Sequence, residues 1–254
     1  MRLPRTDGVD KVSAHLHLGR TLTKPASSPR LPSDERRDRI LDAALQVFAE
    51  RGFHGATTRE LAKAAGVSEA LMFRHFPTKE ELYSALQFHC CRAKNEKMGA
   101  TLAQLDDSTA SLIALVHYMM AKTLRPTGQV DPREQALLRL LATSFLEDGS
   151  FARGFMENAV KEMIQKLQAC LRAALAAGDA EETPIQENVG VWFVQHFAAM
   201  LMLNEMPGKP VVKLAPSRNA QIEQAVWFAC QGLGLKAAAI RRHYRPQTFS
   251  LLMA

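Results

Sequence analysis

The sequence lacks any apolar run long enough to cross a membrane. Its most apolar stretch, residues 191–203, is shorter than the roughly 18–20 residues that a bilayer requires, and it carries Gln195 and His196. Residues 1–30 contain no continuous apolar segment of the kind found in signal peptides. We therefore expect a cytoplasmic protein without a membrane partner.

Cysteine is scarce, and its spacing does not suit a metal or redox site. The chain has four cysteines, Cys90, Cys91, Cys170 and Cys230, and none forms a C-x-x-C pair. Each lies in an apolar segment of helical character, which favours buried thiols. His89 precedes the adjacent pair and leaves a metal or redox sensor as the alternative, although neighbours on a helix point about 100° apart. No metal or other cofactor is predicted.

Motifs of the common catalytic sites are also missing. The chain has no glycine-rich phosphate loop, no G-x-S-x-G, no H-E-x-x-H and no pair of carboxylates set in an apolar helix. The sequence therefore does not predict an enzyme. Alternating β-branched runs with the length of a strand are equally lacking, whereas three- and four-residue apolar spacing recurs after Asp34. We predict an all-α fold.

Positive charge is present but unevenly distributed. The chain carries a net charge of +6. Residues 1–30 hold six Lys/Arg against two Asp, and residues 236–254 hold four Lys/Arg and no acid, so the residues between them have a small negative net charge. Basic ends of this kind indicate an anionic partner.

Composition and periodicity divide the chain into four sections. Residues 1–33 contain four prolines and no sustained periodicity, which predicts a flexible basic arm. Residues 34–83 and 84–235 have helical periodicity, and residues 236–254 form a basic tail that is expected to begin as a helix and then fray. Breaks rich in Gly, Pro, Asp and Ser predict helices at 108–123, 132–147, 151–177, 184–203 and 217–233.

Residues 34–83 predict three helices and the start of a long fourth one. A Ser or Thr can cap a helix, a Glu three residues later can complete a capping box, and glycine or proline can end a helix. In chain order these boundary residues are Gly52, Thr57, Glu60, Gly66, Ser68, Pro77, Thr78 and Glu81. Two short helices around a glycine-containing turn match the helix-turn-helix, whose second helix enters the major groove of DNA. An ordinary helical hairpin is the alternative on spacing alone.

Particular residues favour the helix-turn-helix. The pattern reads Ile40-Leu41-x-Ala43-Ala44, Phe48, Gly52-Phe53, Thr57-Thr58, Leu61-Ala62, Ala65-Gly66-Val67-Ser68 and Phe73-Arg74-His75-Phe76-Pro77-Thr78-Lys79-Glu80-Glu81-Leu82. In these residues the chain resembles the N-terminal domain of the TetR family of repressors. The resemblance covers about a fifth of the chain.

The resemblance implies a three-helix DNA-binding domain at 34–83 and a larger helical domain at 84–235 that binds a small effector and dimerises. The implied partners are a double-stranded, near-palindromic DNA operator and a second copy of the chain, because a dimer presents two recognition helices about one turn of DNA apart. The implied function is that of an effector-released repressor. An activator and an effector-independent DNA-binding or architectural protein are the alternatives.

Carried over position by position, the resemblance places ten residues at the DNA. They are Thr58, Arg59, Ser68, Glu69, Ala70, Leu71, Phe73, Arg74, His75 and Lys79. Arg59 is the best candidate for a guanine contact because its fork can donate two hydrogen bonds, and Lys79 at a capped helix start suits a phosphate. A solvated charge is the alternative for each. Leu71 and Phe73 replace the threonine and tyrosine that are frequent in the family, so neither can donate a hydroxyl hydrogen bond.

The charge of this domain suggests a role for the arm. Residues 30–83 hold nine Lys/Arg and nine Asp/Glu, so this segment carries no net charge. We therefore expect the arm at 1–33 to add phosphate or minor-groove contacts, as arms do in other helix-turn-helix proteins. An inert linker is the alternative.

Two further sites are expected in the larger domain. Large apolar side chains with a few polar groups suggest a pocket for an apolar or aromatic effector at His117, Tyr118, Phe145, Met156, Trp192 and His196, with ordinary core packing as the alternative. In the proteins that it resembles, the last two long helices pack against their copies. This implies a dimer interface at Val189, Phe193, Phe197, Ile222, Val226 and Cys230, with packing inside one monomer as the alternative.

Overall fold

Helices form the regular secondary structure of residues 33–125, 131–207 and 209–246, which the computed structural model describes apart from the side chains of 91–97. Within these ranges the β-type pairing is limited to one isolated antiparallel bridge between Ala180 and Leu235. The predicted all-α fold is confirmed. Three predictions lie outside the described residues. They concern nearly all of the predicted arm with its DNA contacts, the Cys91 side chain and the end of the predicted tail.

The described ranges contain eleven α-helices and one π-helical turn. They are α1 (Ser33–Gly55), α2 (Thr58–Ala64), α3 (Glu69–His75), α4 (Lys79–Gln104), α5 (Thr109–Thr123), α6 (Pro132–Leu146), α7 (Ser150–Phe155), the π turn (Met156–Val160), α8 (Lys161–Ala176), α9 (Glu187–Glu205), α10 (Arg218–Gly232) and α11 (Ala237–His243). None of the described helices combines the length and the apolar character needed to span a bilayer.

The first helix is interrupted where glycine was expected to end it. Gly52 has φ 69° and ψ 177°, which is outside helical geometry, although the helix resumes briefly as far as Gly55. Glycine adopts a positive φ without the steric cost that a Cβ imposes. The kink lies about one helical turn after Phe48, which is buried in the first core.

A first hydrophobic core lies beneath the helix-turn-helix. Its larger members are Ile40, Leu41, Leu45, Phe48, Leu61, Met72, Phe76, Leu82, Leu86, Leu140 and Phe151. The core therefore combines α1 to α4 with α6 and α7, which come much later in the sequence and pack on α1 and α4. The predicted division between residues 83 and 84 falls inside α4, and this core continues beyond it to Cys90.

A second hydrophobic core is organised around α5. This helix packs against α8, α9, α10 and α11. The larger members of the core include Leu112, Ile113, Val116, Met120, Leu167, Cys170, Val191, Val226, Cys230, Ile240 and Tyr244. Phe155 packs partly against both cores and so marks where they meet.

The helix predicted at 151–177 is divided by the π turn. Gly154 lies against the Gln87 side chain of α4, and Gln87 Nε2 donates to the Ser150 carbonyl at 3.2 Å. The Asn158 amide donates to the Gly154 carbonyl at 2.7 Å. The wider turn changes the helical register, so α7 packs in the first core and α8 in the second. Apolar periodicity alone does not reveal such a local change.

The tail predicted to fray is anchored as far as it is described. Its helical start is confirmed by α11. Asp179 accepts hydrogen bonds from the Thr109 hydroxyl at 2.8 Å and from Arg242 at 3.1 Å. The Thr109 hydrogen bond, followed by the charges of Arg242 and His243, holds the pKa of Asp179 below its usual range. The Lys236 N–H, just before α11, donates to the Asp179 carbonyl at 2.9 Å, and Tyr244, just after it, is buried in the second core, so the helix is fixed at both ends.

Candidate DNA-binding interface

The second helix begins with the predicted capping box. The Thr57 hydroxyl accepts from the Glu60 N–H at 3.2 Å, while the Thr57 N–H donates to Glu60 Oε2 at 3.0 Å. These bonds satisfy amide groups that have no partner inside the helix. The backbone and then the hydroxyl of Thr57 hold the pKa of the Glu60 carboxyl below its usual range. The ionised carboxylate therefore fixes the start of α2 at neutral pH.

The turn between α2 and α3 uses the predicted residues. Gly66 has φ 66°, which favours glycine, and an added Cβ there would meet no atom within 4 Å. The Ser68 hydroxyl accepts from the Leu71 N–H at 3.2 Å and caps α3. Ser68 thus stabilises the start of α3, in addition to any contact that it makes with DNA.

The recognition helix α3 separates a buried side from an exposed one. Met72 and, just past the helix, Phe76 are 1% and 2% exposed in the first core. The opposite side exposes Glu69, Ala70, Phe73 and Arg74, while Leu71 and His75 are half-buried. The exposed set contains one acceptor, two apolar groups and one guanidinium. We call these four residues the reading face.

One hydrogen bond joins the two helices and was not foreseen from the sequence. The Thr58 hydroxyl, in the first turn of α2, donates to Glu69 Oε2 of α3 at 2.8 Å. Both residues were expected at the DNA, but as independent contacts. A separation of eleven residues across a turn gives no periodic signal that would have predicted the pair.

Among the predicted cations, Arg59 and Arg74 are exposed, whereas Lys79 is half-buried. Lys79 Nζ lies 4.5 Å from the centroid of the Phe53 ring, which orients the ammonium at the start of α4. Arg37 was not predicted from the sequence. Its guanidinium lies 4.8 Å from the centroid of the Phe76 ring, next to the end of α3. Nothing in the spacing of Arg37 within α1 distinguishes it from the neighbouring charges.

The residues predicted for an effector pocket do not form one cluster. Tyr118, Met156 and Trp192 are half-buried against the second core. His117 is buried, with Nδ1 3.0 Å from the Tyr244 hydroxyl, and burial lowers its pKa. Two choices need correction. Phe145 is 54% exposed at the end of α6, and His196 is exposed with Nδ1 2.8 Å from the Trp192 carbonyl. Both point to solvent because the inward sides of α6 and α9 are occupied by other residues.

The residues predicted for a dimer interface divide into two groups. Val226 and Cys230 are 0% exposed, and burial raises the pKa of the Cys230 thiol to about 12. Their assignment to an interface is corrected, because α10 packs this side against α5 within the monomer. Phe193 is 59% exposed, whereas Val189, Phe197 and Ile222 are half-buried.

An exposed apolar surface nevertheless runs along α9 and α10. Phe228, which was not predicted from the sequence, is 67% exposed, and its ring centroid is 5.0 Å from that of Phe197. We call the surface formed by Phe193, Phe197, Met200, Leu203 and Phe228 the α9–α10 apolar face.

The histidine next to the cysteine pair makes a different kind of contact from the one considered for a metal. His89 Nε2 is 2.9 Å from Asp42 of α1, which also pairs with Arg133 of α6 at 3.1 Å. The Cys90 side chain is buried in the first core. In the described parts of the chain, no three His, Cys, Asp or Glu side chains converge on a position that could hold a metal ion.

Comparison with known proteins gives a family match in the N-terminal region and matches of different lengths to individual proteins. Residues 40–86 match the family model described as bacterial regulatory proteins, tetR family. The HTH-type transcriptional activator FasR of Mycolicibacterium smegmatis is 52% identical over 61 residues, which is 24% of this chain and 28% of FasR. An HTH-type transcriptional repressor of Mycobacterium tuberculosis is 32% identical over 137 residues, 52% of this chain and 65% of the repressor. The chain thus spans less than two thirds of the length of either relative.

Solved structures share the fold over a longer range. NalD, the secondary repressor of the MexAB-OprM multidrug efflux pump in Pseudomonas aeruginosa, superposes with a TM-score of 0.60 at 17% identity. The match covers 81% of this chain and 100% of NalD. At that identity the likeness shows the fold alone.

Proposed function

We propose that the chain is a TetR-family regulator, specifically a homodimeric, effector-released repressor that binds operator DNA, and the match of residues 40–86 to the family model supports this. The reading face of α3 carries the proposal. Its four side chains are exposed on a short helix whose opposite side is fixed in the first core. An exposed face on a rigidly held helix suits readout of base edges in the major groove.

Charged residues around the reading face support binding to the phosphate backbone. Lys79 and Arg37 rest on the aromatic rings of Phe53 and Phe76, so their charges are held beside α3 rather than dispersed. Arg59 is exposed next to Thr58, whose hydroxyl contacts α3. Phosphate contacts position a protein on the duplex, while base contacts supply specificity. We propose that Lys79 and Arg37 contact phosphates and that Arg59 contacts a base.

The α9–α10 apolar face supports self-association. Contiguous exposed aromatic and aliphatic side chains mark an interaction surface rather than an ordinary surface. A second copy is the occupant that we propose, because two-fold pairing would present two reading faces to half-sites about 34 Å apart. The cytoplasmic location is part of the proposal, since that is where the operator lies.

The second core supports an effector site of apolar character. It contains the half-buried Tyr118, Met156 and Trp192, which combine large apolar surfaces with few polar atoms. The packing of α6 and α7 on α1 and α4 gives rearrangements in the larger region a direct route to the DNA-binding domain. A ligand that favours one arrangement can therefore change DNA affinity.

The test is to recover the DNA. Sheared genomic DNA from the source cell is incubated with the purified full-length chain, and the bound fragments are sequenced. Enrichment of a near-palindromic site supports the proposal, whereas retention that is independent of sequence overturns operator recognition. A thermal-shift screen of apolar metabolites then identifies ligands of the native state. A ligand that also releases the enriched site supports effector control.

The sign of regulation needs a separate measurement, because one relative is named an activator and the other a repressor. A reporter gene placed behind the enriched site is expected to rise when the chain is deleted. A fall in reporter output would identify an activator instead.

A further inference from the structure

The reading face contains one carboxylate, and its orientation is fixed before DNA binds. Glu69 is exposed, yet its Oε2 accepts the Thr58 hydroxyl hydrogen bond at 2.8 Å. Thr58 is half-buried, and the start of its helix is itself held by the Thr57 capping box. A glutamate side chain otherwise loses considerable rotational freedom on forming a contact. The hydrogen bond from Thr58 already restricts the Glu69 side chain in the free protein, so less conformational entropy is lost when DNA binds. This favours a specific contact.

The charge of Glu69 is not neutralised locally. Among the described residues, no Lys or Arg forms an ion pair with it, and its bond to Thr58 uses a neutral donor. An ionised carboxylate accepts hydrogen bonds and cannot donate them. It is repelled by phosphates and by the O6 and N7 acceptors of guanine. Its presence on a surface that faces DNA therefore lowers affinity unless the DNA offers a donor at the right position.

The major groove offers two donors, the amino groups of cytosine and adenine. Adenine places its N7 acceptor beside the N6 amino group, so a carboxylate there meets a donor and an acceptor together. Cytosine presents its N4 amino group without an acceptor on the same base edge. A fixed carboxylate thus complements cytosine best. Ala70 and Phe73, the apolar neighbours on the reading face, cannot compensate an unpaired carboxylate.

We propose that Glu69 determines specificity by accepting a hydrogen bond from a cytosine amino group in each half-site, and that Thr58 is its positioning residue. The inference rests on the proposed function and deepens it by naming one base. Glu69 is expected to act mainly on discrimination between bases rather than on affinity for the correct site, because a wrong base leaves a desolvated carboxylate without a hydrogen-bond donor.

The experiment selects binding sites from a library of duplex DNA with a randomised segment, using the full-length chain and four variants. Glu69→Gln keeps the shape and an acceptor for Thr58 but adds a donor, which suits adenine. Glu69→Ala removes the group. Thr58→Val removes the orienting hydroxyl, and Thr58→Ser is its matched control because it keeps that hydroxyl. A melting curve of each variant checks that the fold is intact, which the exposure of Glu69 leads us to expect.

The wild-type chain is expected to select a cytosine at one position of each half-site, and replacing it should weaken binding about tenfold per half-site. Glu69→Gln should select adenine there, and Glu69→Ala should accept all bases while binding unrelated DNA more tightly. Thr58→Val should lose the cytosine preference, whereas Thr58→Ser should retain it. The same selected site for wild type and Glu69→Gln would overturn the inference and leave operator recognition standing. Failure of the wild-type chain to select any site would overturn both.

Discussion

The reading face of α3 and the α9–α10 apolar face are both exposed, but they differ in composition and in what holds them. The reading face mixes a carboxylate, a guanidinium and two apolar groups on a helix of 7 residues. The α9–α10 apolar face consists of large apolar side chains on helices of 19 and 15 residues. A polar, hydrated partner suits the first surface, and a dry, self-complementary partner suits the second.

The supports beneath the two faces differ as well. The reading face depends on hydrogen-bonded caps at Thr57 and Ser68 and on one glycine turn, because helices this short are not stable alone. The α9–α10 apolar face depends on packing against α5, which contributes Leu112, Ile113 and Val116 to the second core. Local hydrogen bonds thus position the first face, and distant apolar contacts position the second.

The largest expected effect comes from placing a charge on the α9–α10 apolar face. Phe228→Glu would bury two carboxylates across a two-fold interface, and we expect a loss of about 4 kcal/mol of dimer stability. The chain should become monomeric by analytical ultracentrifugation, and operator affinity should fall at least about 100-fold. Leu146→Glu is the matched control, because Leu146 is 88% exposed on α6, away from this face. A dimeric Phe228→Glu variant would show that the copies pair elsewhere.

The corresponding change beside the reading face removes a cation. Arg59→Ala should weaken operator binding by about 1–3 kcal/mol and relax one base position if Arg59 contacts guanine. Fluorescence anisotropy with single-base operator variants measures both effects. Arg139→Ala removes an equal charge from an exposed position on α6 and should change little. An equal loss for every operator variant would assign Arg59 to phosphate instead.

Glycine substitutions test how the DNA-binding domain is held. Gly52 has φ 69° and ψ 177°, a backbone region that is essentially restricted to glycine, so Gly52→Ala should lower the free energy of unfolding by about 2 kcal/mol. Gly66 also has a positive φ but lies in open space, so Gly66→Ala should cost about 1 kcal/mol. Gly55→Ala meets only Arg51 Cβ at 3.6 Å and should leave stability unchanged within about 1 kcal/mol. Urea unfolding followed by circular dichroism gives this order, and equal losses at all three positions would contradict it.

The smallest expected effect concerns the second core and pH. Burial holds the pKa of His117 below the ordinary value of about 6.5, so the unfolded chain binds the proton more readily. Stability from this residue is therefore complete above about pH 6.5 and decreases as the pH falls toward the folded-state pKa. His117→Gln should reduce the loss of melting temperature between about pH 7.5 and 5.5. Tyr244→Phe keeps His117 buried and should retain the wild-type pH dependence; a reduced dependence in this variant would point to the hydroxyl rather than to burial.

Much of the DNA-binding domain was predictable because its signals are local. Thr57 and Glu60, and likewise Ser68 and Leu71, bond over three residues, so their spacing in the sequence is sufficient to predict the helix starts. The Thr58–Glu69 bond was not predictable, because it depends on how α2 crosses α3. The same limit applies to Phe145 and His196, whose residue types suit a pocket but whose helices turn them toward solvent.

The sequence by itself determined where α2, α3 and α4 begin, because the side-chain caps at Thr57, Ser68 and Thr78 act within a few residues. Only the tertiary structure decided which side of each helix is exposed. α9 and α10 carry apolar residues on more than one side, so periodicity could not separate the buried Val226 and Cys230 from the exposed Phe193 and Phe228. Likewise, α6 and α7 join the core of the DNA-binding domain through contacts with helices some fifty to a hundred residues earlier in the chain. Which side chains are buried depends on those distant packing partners, and no local sequence pattern predicts them.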